Sequence, residues 1–290
     1  MSTRSNQSMI KLITCGALTV ATLLVIGKGF VWYITGSLSI KASLVDSLLD
    51  ACASLINFIA IYHALRPADA EHKFGHGKAE ALASLGQAIF IAFSAGWLLK
   101  EVFERIQTPQ PVTFSLFAVG VMIGAIILTL LLVIGQRYVV RLTGSLAVEA
   151  DSLHYQTDLF TNIAVLISFS LSSYLSVGYF DTAVGALIAV YILHSSWKIA
   201  KKGFDILMDR ELPKDVLEKI IEIAKSHAHV KGIHDLRTRS SGQNEFIQMH
   251  LDLDQNLTLQ TAHEIADEVA FEINKFFPKA EVIIHQDPVS

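Results

Sequence analysis

Charge is scarce in this sequence. Only 17% of its 290 residues are Asp, Glu, Lys or Arg, and 52% are hydrophobic. That excludes an ordinary soluble domain, in which about a quarter of the residues are charged. Cysteine is scarcer still. Cys15 and Cys52 are the only two and have no C-x-x-C spacing, so neither a disulfide nor a thiolate site is expected, and both read as small buried hydrophobes. A cleavable leader is also missing, because the first apolar run is a full span rather than a short stretch ending in an A-x-A site, and the first helix is expected to be retained. No H-E-x-x-H occurs and no Glu stands as a base beside His154 and Asp158, which argues against a metallohydrolase.

What the chain does have is long apolar runs. A bilayer core about 30 Å thick needs about 20 apolar residues per helix. Six stretches qualify: Ile10 to Ile34, Ala42 to Leu65, Ala79 to Val102, Phe114 to Val140, Leu146 to Tyr174 and Phe180 to Ile199. Basic residues tend to stay on the cytoplasmic side of such spans. Arg4 and Lys11 precede the first; Arg66, Lys73 and Lys78 lie between the second and third; Arg137 and Arg141 between the fourth and fifth; Lys198, Lys201, Lys202 and Arg210 near the end of the sixth. The opposite side has Lys41, Lys100 and Arg105. Both termini are therefore expected in the cytoplasm. The net charge of -4 adds little, since this is not a net-charge rule.

After Asp209 the composition changes, and Leu212-Pro213 closes the membrane part. We divide the chain into a transmembrane domain, 1–208, and a cytoplasmic domain, 209–290. In the tail, Val216, Leu217, Ile220, Ile221 and Ile223 recur at helical spacing, Val230 to Arg239 alternates as a strand, and Ser240-Ser241-Gly242 makes a turn. Ile247, Met249, Leu251 and Leu253 then alternate with Phe246, Gln248, His250 and Asp252, Leu259 to Phe276 forms a second amphipathic helix, and Glu281 to His285 a last strand. The order α-β-β-α-β predicts a small α+β domain whose modest core a metal or partner would support.

TGSL occurs twice, at Thr35 and Thr143, and the register that aligns the copies superposes Asp46 on His154 and Asp50 on Asp158. Three spans per copy would invert the second across the membrane and bring the two segments together near the midplane. Carboxylates within hydrocarbon are costly and normally face a bundle interior or a cavity. Asp46 and Asp50 are four residues apart on one helix face, as are His154 and Asp158. Three carboxylates and one imidazole on two facing helices form a tetrahedral set suited to Zn²⁺ and biased away from Mg²⁺ and Ca²⁺. The bland alternative is hydrogen bonding between helices, as for Asn57 and Asn162. Asp151 and Glu149 read better as a solvated vestibule. Lys28, in the middle of the first span, either pairs with an acid or snorkels.

Two further groups stand out. Asp69, His72 and His76 lie in a short, flexible, glycine-flanked loop and can make a three-ligand site with an open position, or be incidental polar residues. Six of the eleven histidines lie in the tail. His234 and His250 fall on adjacent predicted strands and His285-Gln286-Asp287 ends the last one, so imidazoles and a carboxylate can meet at one sheet end. His227 and His229 read as surface residues.

At these positions the chain resembles the cation diffusion facilitator family, and more closely its bacterial zinc and iron efflux branch. Asp46 and Asp50 match the family's helix 2 acidic pair, His154 and Asp158 its helix 5 H-x-x-x-D, and PADAEHKFGHGKAE the segment after helix 2. The resemblance covers essentially the whole chain. It implies six transmembrane helices, a cytoplasmic domain like that of copper chaperones, and a homodimeric bacterial inner-membrane exporter that exchanges a divalent metal, Zn²⁺ with Cd²⁺ or Fe²⁺ as alternatives, for protons. Its expected partners are a second copy, the lipid bilayer, metal ions and protons, and not nucleic acid. The resemblance also implies a weaker metal site at Asp69, His72 and His76. In the tail it implies a binuclear site of His234, His250, His263, His285 and a bridging Asp287, supported by Gln286, and at the dimer interface a charge interlock of Lys78 and Asp209. The His-rich loop common between helices 4 and 5 of eukaryotic zinc members is here only QRYVVRLTGS, so delivery by such a loop has no support. The competing reading is a metal-gated channel or a membrane metal sensor.

Overall fold

The computed structural model describes residues 3–35, 38–107, 116–172, 179–242 and 244–290. The chain divides into two compact units, one formed by 1–75 and 79–204, the other by 205–290 with the short segment 76–78.

Six long helices make the first unit: α1 (Thr3–Thr35), α2 (Leu38–Ala64), α3 (Lys78–Gln107), α4 (Leu116–Thr143), α5 (Leu146–Ser172) and α6 (Tyr179–Leu207). Ser5–Ile34, Ser47–Ala64, Lys78–Glu104 and Met122–Thr143 are long and apolar enough to cross a membrane. α5 and α6 are of similar length, at 27 and 29 residues. α6 runs two turns past the expected Ile199 because Lys198, Lys201 and Lys202 continue it as an amphipathic end. Large apolar residues such as Phe30, Phe93, Trp97 and Leu131 are exposed on the outside, the arrangement a hydrocarbon solvent selects. Cys15 and Cys52 are also exposed. This corrects the expectation that they are buried, since a lipid-facing surface accommodates a small apolar side chain as readily as a core does.

α1 packs on α2 and α4 on α5, and these hairpins meet through α1 with α4 and α2 with α5. The Tyr155 hydroxyl, on α5, lies 2.7 Å from Ser54 Oγ on α2 and donates to Ala17 O on α1. α3 meets α6 through small residues: Ser196 Oγ donates to Ala88 O at 2.5 Å, and Gly203 packs closely on the Ala81 carbonyl.

TGSL at Thr143 is the turn between α4 and α5. Gly144 ends α4 in the left-handed region, φ 68°, and its N–H donates to Val140 O, a role that suits glycine. Ser145 Oγ accepts from Val148 N as the cap of α5. The buried Glu80 at the start of α3 then accepts from Ser145 Oγ and from Ala147 N. The first TGSL copy falls at the boundary of α1 and α2, where 36 and 37 lie outside the described residues.

The second unit contains α7 (Lys214–Lys225), β1 (Gly232–Ser241), β2 (Asn244–Asp254), α8 (Leu259–Phe276) and β3 (Ala280–Val289). Thr258 caps α8 by accepting from Thr261 N. The sheet order is β1-β2-β3, with β1 antiparallel to β2 and β3 parallel to it after the α8 crossover. Ile247, Met249, Leu251 and Leu253 of β2 pack with Ile220 and Ile223 of α7 and with Ile265, Val269 and Ile273 of α8. Because strand side chains alternate, the even-numbered residues of β2 fall on the face opposite the helices.

Candidate metal centres

In the helical unit, Asp50 on α2 and His154 and Asp158 on α5 bring ligand atoms within 4.8 Å of one another. His154 Nε2 lies 3.0 Å from Asp50 Oδ1, with the Phe90 ring edge-on to the imidazole. Asp46 lies one turn before Asp50 on α2, but its side chain is outside the described residues. Two half-buried carboxylates and a buried imidazole among apolar helices make an energetically costly group unless a cation joins them. Lys28 donates to Ser47 Oγ at 2.6 Å, so its ammonium is held against α2 rather than snorkelling.

Asp151, one turn before His154, corrects the sequence reading. It is buried, not part of a solvated vestibule, and accepts from Gln136 Nε2 at 2.7 Å and Gln87 Nε2 at 3.2 Å. Those residues come from α4 and α3, which no local pattern around Asp151 reveals. Glu149 is the half-exposed acid of the pair and binds Lys202 at 2.9 Å. Asn57 meets the hydrogen-bonding expectation, donating to Ala147 O on α5.

In the loop after α2, His72 Nδ1 lies 3.4 Å from Asp69 Oδ1, while His76 belongs to the other unit. The segment is more organised than its glycines suggested. Asp69 Oδ1 accepts from Glu71 N and His72 N, an Asx turn, and Gly75 takes φ 77° while donating to His72 O.

In the second unit the strand register puts His234, His250 and His285 in one row across the sheet. Ring centroids are 5.0 Å apart for His234 and His250 and 4.7 Å for His250 and His285. Asp287, two residues on and so on the same face, approaches all three: 2.7 Å to His250 Nδ1, 3.1 Å to His234 Nε2 and 3.3 Å to His285 Nε2. The hydrogen bond with His250 first, and then the neighbouring imidazoles, hold its carboxyl below the usual range. Imidazoles and carboxylate without a thiolate suit zinc or a similar divalent ion. Of these residues His234, His250 and Asp287 bring ligand atoms within 4.8 Å of one another, whereas His263, on α8, lies 3.5 Å from Asp267. Gln286 pairs in register with Leu251. His227 Nε2 lies 2.9 Å from Glu268.

Two features of this face were not anticipated. Asp252 Oδ1 lies 3.2 Å from His234 Nδ1, which leaves Nε2 toward Asp287. Gly232 pairs with Asp252, and a Cβ at Gly232 would overlap the Asp252 carboxylate. The register also shifts between His234 and Arg237, and Asp235 takes φ 49° there, a bulge that lets Ile233 and Leu236 both face the core. The strand alternation H-L-D was visible in sequence; the strand pairing opposite it was not. Lys78 Nζ lies 2.8 Å from Asp209 Oδ1, and that hydrogen bond chiefly holds the Asp209 carboxyl below its ordinary value.

Two family models match the chain in succession. Residues 16–208 match the cation efflux transmembrane domain, and residues 212–289 match the cation efflux protein cytoplasmic domain. The cation-efflux pump FieF of Cronobacter sakazakii is 47% identical over 274 residues, covering 94% of this chain and 91% of that protein. Protein p34 of Rickettsia rickettsii is 44% identical over 292 residues, covering 99% and 95%. Among solved structures, a zinc form of CzrB, described as a zinc transporter, is 28% identical and covers 28% of this chain and 92% of its own, with TM-score 0.27. A cadmium form of a MamM CTD variant is 26% identical over 27% of this chain and 98% of its own, with TM-score 0.26. Matched to the family's two domain models in order, and to its members over nearly its full length, this chain belongs to the cation efflux family, a family of transporters and not of enzymes.

Proposed function

We propose that this cation efflux transporter exports Zn²⁺, with Cd²⁺ or Fe²⁺ as alternatives, from the cytoplasm in exchange for protons by alternating access. The reading rests on one observation: Asp50, His154 and Asp158 converge among apolar helices. With Asp46 on the same helix they form the transport site. A lone imidazole among carboxylates favours zinc over harder ions. Residues 1–208 carry transport and 209–290 bind metal and dimerise. In that division Asp69, His72 and His76 bind metal weakly at the cytoplasmic surface. His234, His250, His263, His285 and Asp287 hold structural metal with Gln286 behind them, and Lys78 with Asp209 interlocks the dimer. Basic flanking residues support cytoplasmic termini, and the bacterial relatives support an inner membrane.

Proton coupling follows from competition for the same atoms. His154 must be neutral and the carboxylates ionised to hold metal, so metal leaves as protons arrive. In the state open to the cytoplasm metal binds. After α2 and α5 reorient, a more acidic exterior protonates the ligands and releases the ion, and the protonated site returns.

Proteoliposomes holding a pH dye test this. Acid on the exterior side is expected to accelerate export and zinc flow to drive protons the other way, both lost in Asp158→Asn. Zinc flux with no opposing proton movement would overturn antiport. Dissipation that never builds a metal gradient would favour the channel reading.

A further inference from the structure

Asp151 has no part in the transport site just described, yet it is a carboxylate placed deep in the membrane unit. It is 2% exposed and accepts from Gln136 and Gln87, which together with the nearby Asn57 are about as deeply buried: Gln136 1%, Gln87 8% and Asn57 3%. The four residues come from four helices, α5, α4, α2 and α3. Gln136 and Gln87 turn N–H groups toward the carboxylate, Asn57 donates to Ala147 O, and the three carbonyl ends, Gln136 Oε1, Gln87 Oε1 and Asn57 Oδ1, find no donor among the described residues. A buried polar atom without a partner costs about 1–3 kcal/mol. Three around one carboxylate make an unusual concentration.

Amide oxygen and nitrogen are nearly isosteric. Reversing the two glutamine amides would aim two carbonyl oxygens at the carboxylate, an arrangement that repels itself unless a cation lies between them. A cation, bare or through its water shell, is the species that satisfies the carbonyls and the carboxylate together. Every donor is oxygen, so the preference is for a hard or partly hydrated ion. With one carboxylate, such a cluster would hold a divalent ion less strongly than a site of Asp50, His154 and Asp158 would.

The surroundings fit a transit role. A cavity of about 650 Å³ lies between α2 and α3, reaching from Leu49, beside Asp50, to His63 and Ala79 near the helix ends joined by the Asp69 loop. Its walls are mainly apolar, and Asn57 and Gln87 border it midway. An ion moving along α2 therefore meets these amides as replacements for lost water. Asp151 itself stands three residues before His154, about 4.5 Å along the helix axis.

We propose that Asp151, Asn57, Gln87 and Gln136 form a weak cation station that receives the partly hydrated divalent ion on its way to the transport site. The proposal rests on the transport reading above. It is tested by zinc flux against zinc concentration, with the full-length protein in proteoliposomes. Asp151→Asn, nearly isosteric, is expected to raise half-saturating zinc about tenfold while maximal flux stays within about twofold. Gln87→Glu, which adds a second carboxylate, is expected to act in the opposite direction, lowering half-saturating zinc and slowing turnover because the ion is held too firmly.

A purely structural hub, or one occupied by water alone, predicts lower maximal flux or no effect, with half-saturating zinc unchanged in both variants; that result overturns the station. If Asp151→Asn does not fold, Gln87→Glu and Gln136→Glu decide alone, on the same criterion. Asp50→Ala separates the two readings. Flux surviving in Asp50→Ala overturns the transport site itself. Flux lost there, with wild-type half-saturation in the station variants, overturns only the station.

Discussion

His154 is the nitrogen donor among the grouped intramembrane ligands, so metal preference is expected to depend on it. Replacing it by Asp leaves oxygen alone, and His154→Asp should lose preference for Zn²⁺ and admit harder Mn²⁺. Parallel Zn²⁺ and Mn²⁺ uptake in vesicles measures this, and an unchanged ratio contradicts the assignment. In the cytoplasmic unit the informative residue is one without a side chain. The Asp252 carboxylate occupies the space a Cβ would take on Gly232 and reaches His234 Nδ1. An acid behind a ligating imidazole fixes its tautomer and ring orientation, and losing it typically weakens metal binding about 10–100-fold. Gly232→Ala and Asp252→Asn are both expected to weaken zinc binding at the histidine row by that order, measured against a competing chelator on the full-length protein. Asp252→Glu should recover part of the loss. Wild-type affinity in both variants would mean that Asp252 does not orient His234, and loss of a whole metal equivalent would make it a ligand.

At the scale of elements, TGSL is informative because it is a stop and a start in four letters. Gly144 closes α4, Ser145 opens α5, and Glu80 fastens that opening to α3. Removing a cap costs about 1 kcal/mol. Ser145→Ala also takes the donor from a buried carboxylate, so it should destabilise more than an alanine at the exposed Thr19, whose hydroxyl bonds only within α1; unfolding in mixed micelles ranks the two. Equal stability would remove Glu80 and Ser145 as a fastening. The apolar runs made the helices legible, and the alternation in the tail made β2 legible, because both are periodic along the chain. The candidate ligands were legible because acids and histidines are rare in such runs. Asp151 was misread for the opposite reason. Its burial depends on Gln87 and Gln136, whose approach comes from helix packing and not from spacing. Asp252 escaped notice likewise, since its partner Gly232 is set by strand register and the orientation of His234 by a bulge.

At the scale of the whole molecule, the two units have separate cores. Ile220, Leu251 and Ile273 belong to one, while Ile10, Val139 and Val148 or Leu132 and Tyr155 belong to clusters in the other. Separate cores permit separate failures, and the two metal groups should fail differently. A metal that binds only folded protein stabilises it in proportion to the logarithm of its saturation, about 2.7 kcal/mol at a hundredfold excess over Kd. The histidine row has this character: its ligands come from three strands, so their convergence requires the folded sheet. Asp50, in contrast, belongs to the proposed transport site. Asp50→Ala is therefore expected to abolish flux while keeping the rise in thermal stability, and in dimer persistence, that zinc confers and a chelator removes. His250→Ala should behave in the reverse sense, with transport reduced but measurable and the zinc-dependent stabilisation lost. Flux in vesicles and chelator-sensitive unfolding of the same preparations separate the outcomes. If His250→Ala is as inactive as Asp50→Ala while folded and dimeric, metal in the cytoplasmic unit is part of the transport cycle and not a scaffold.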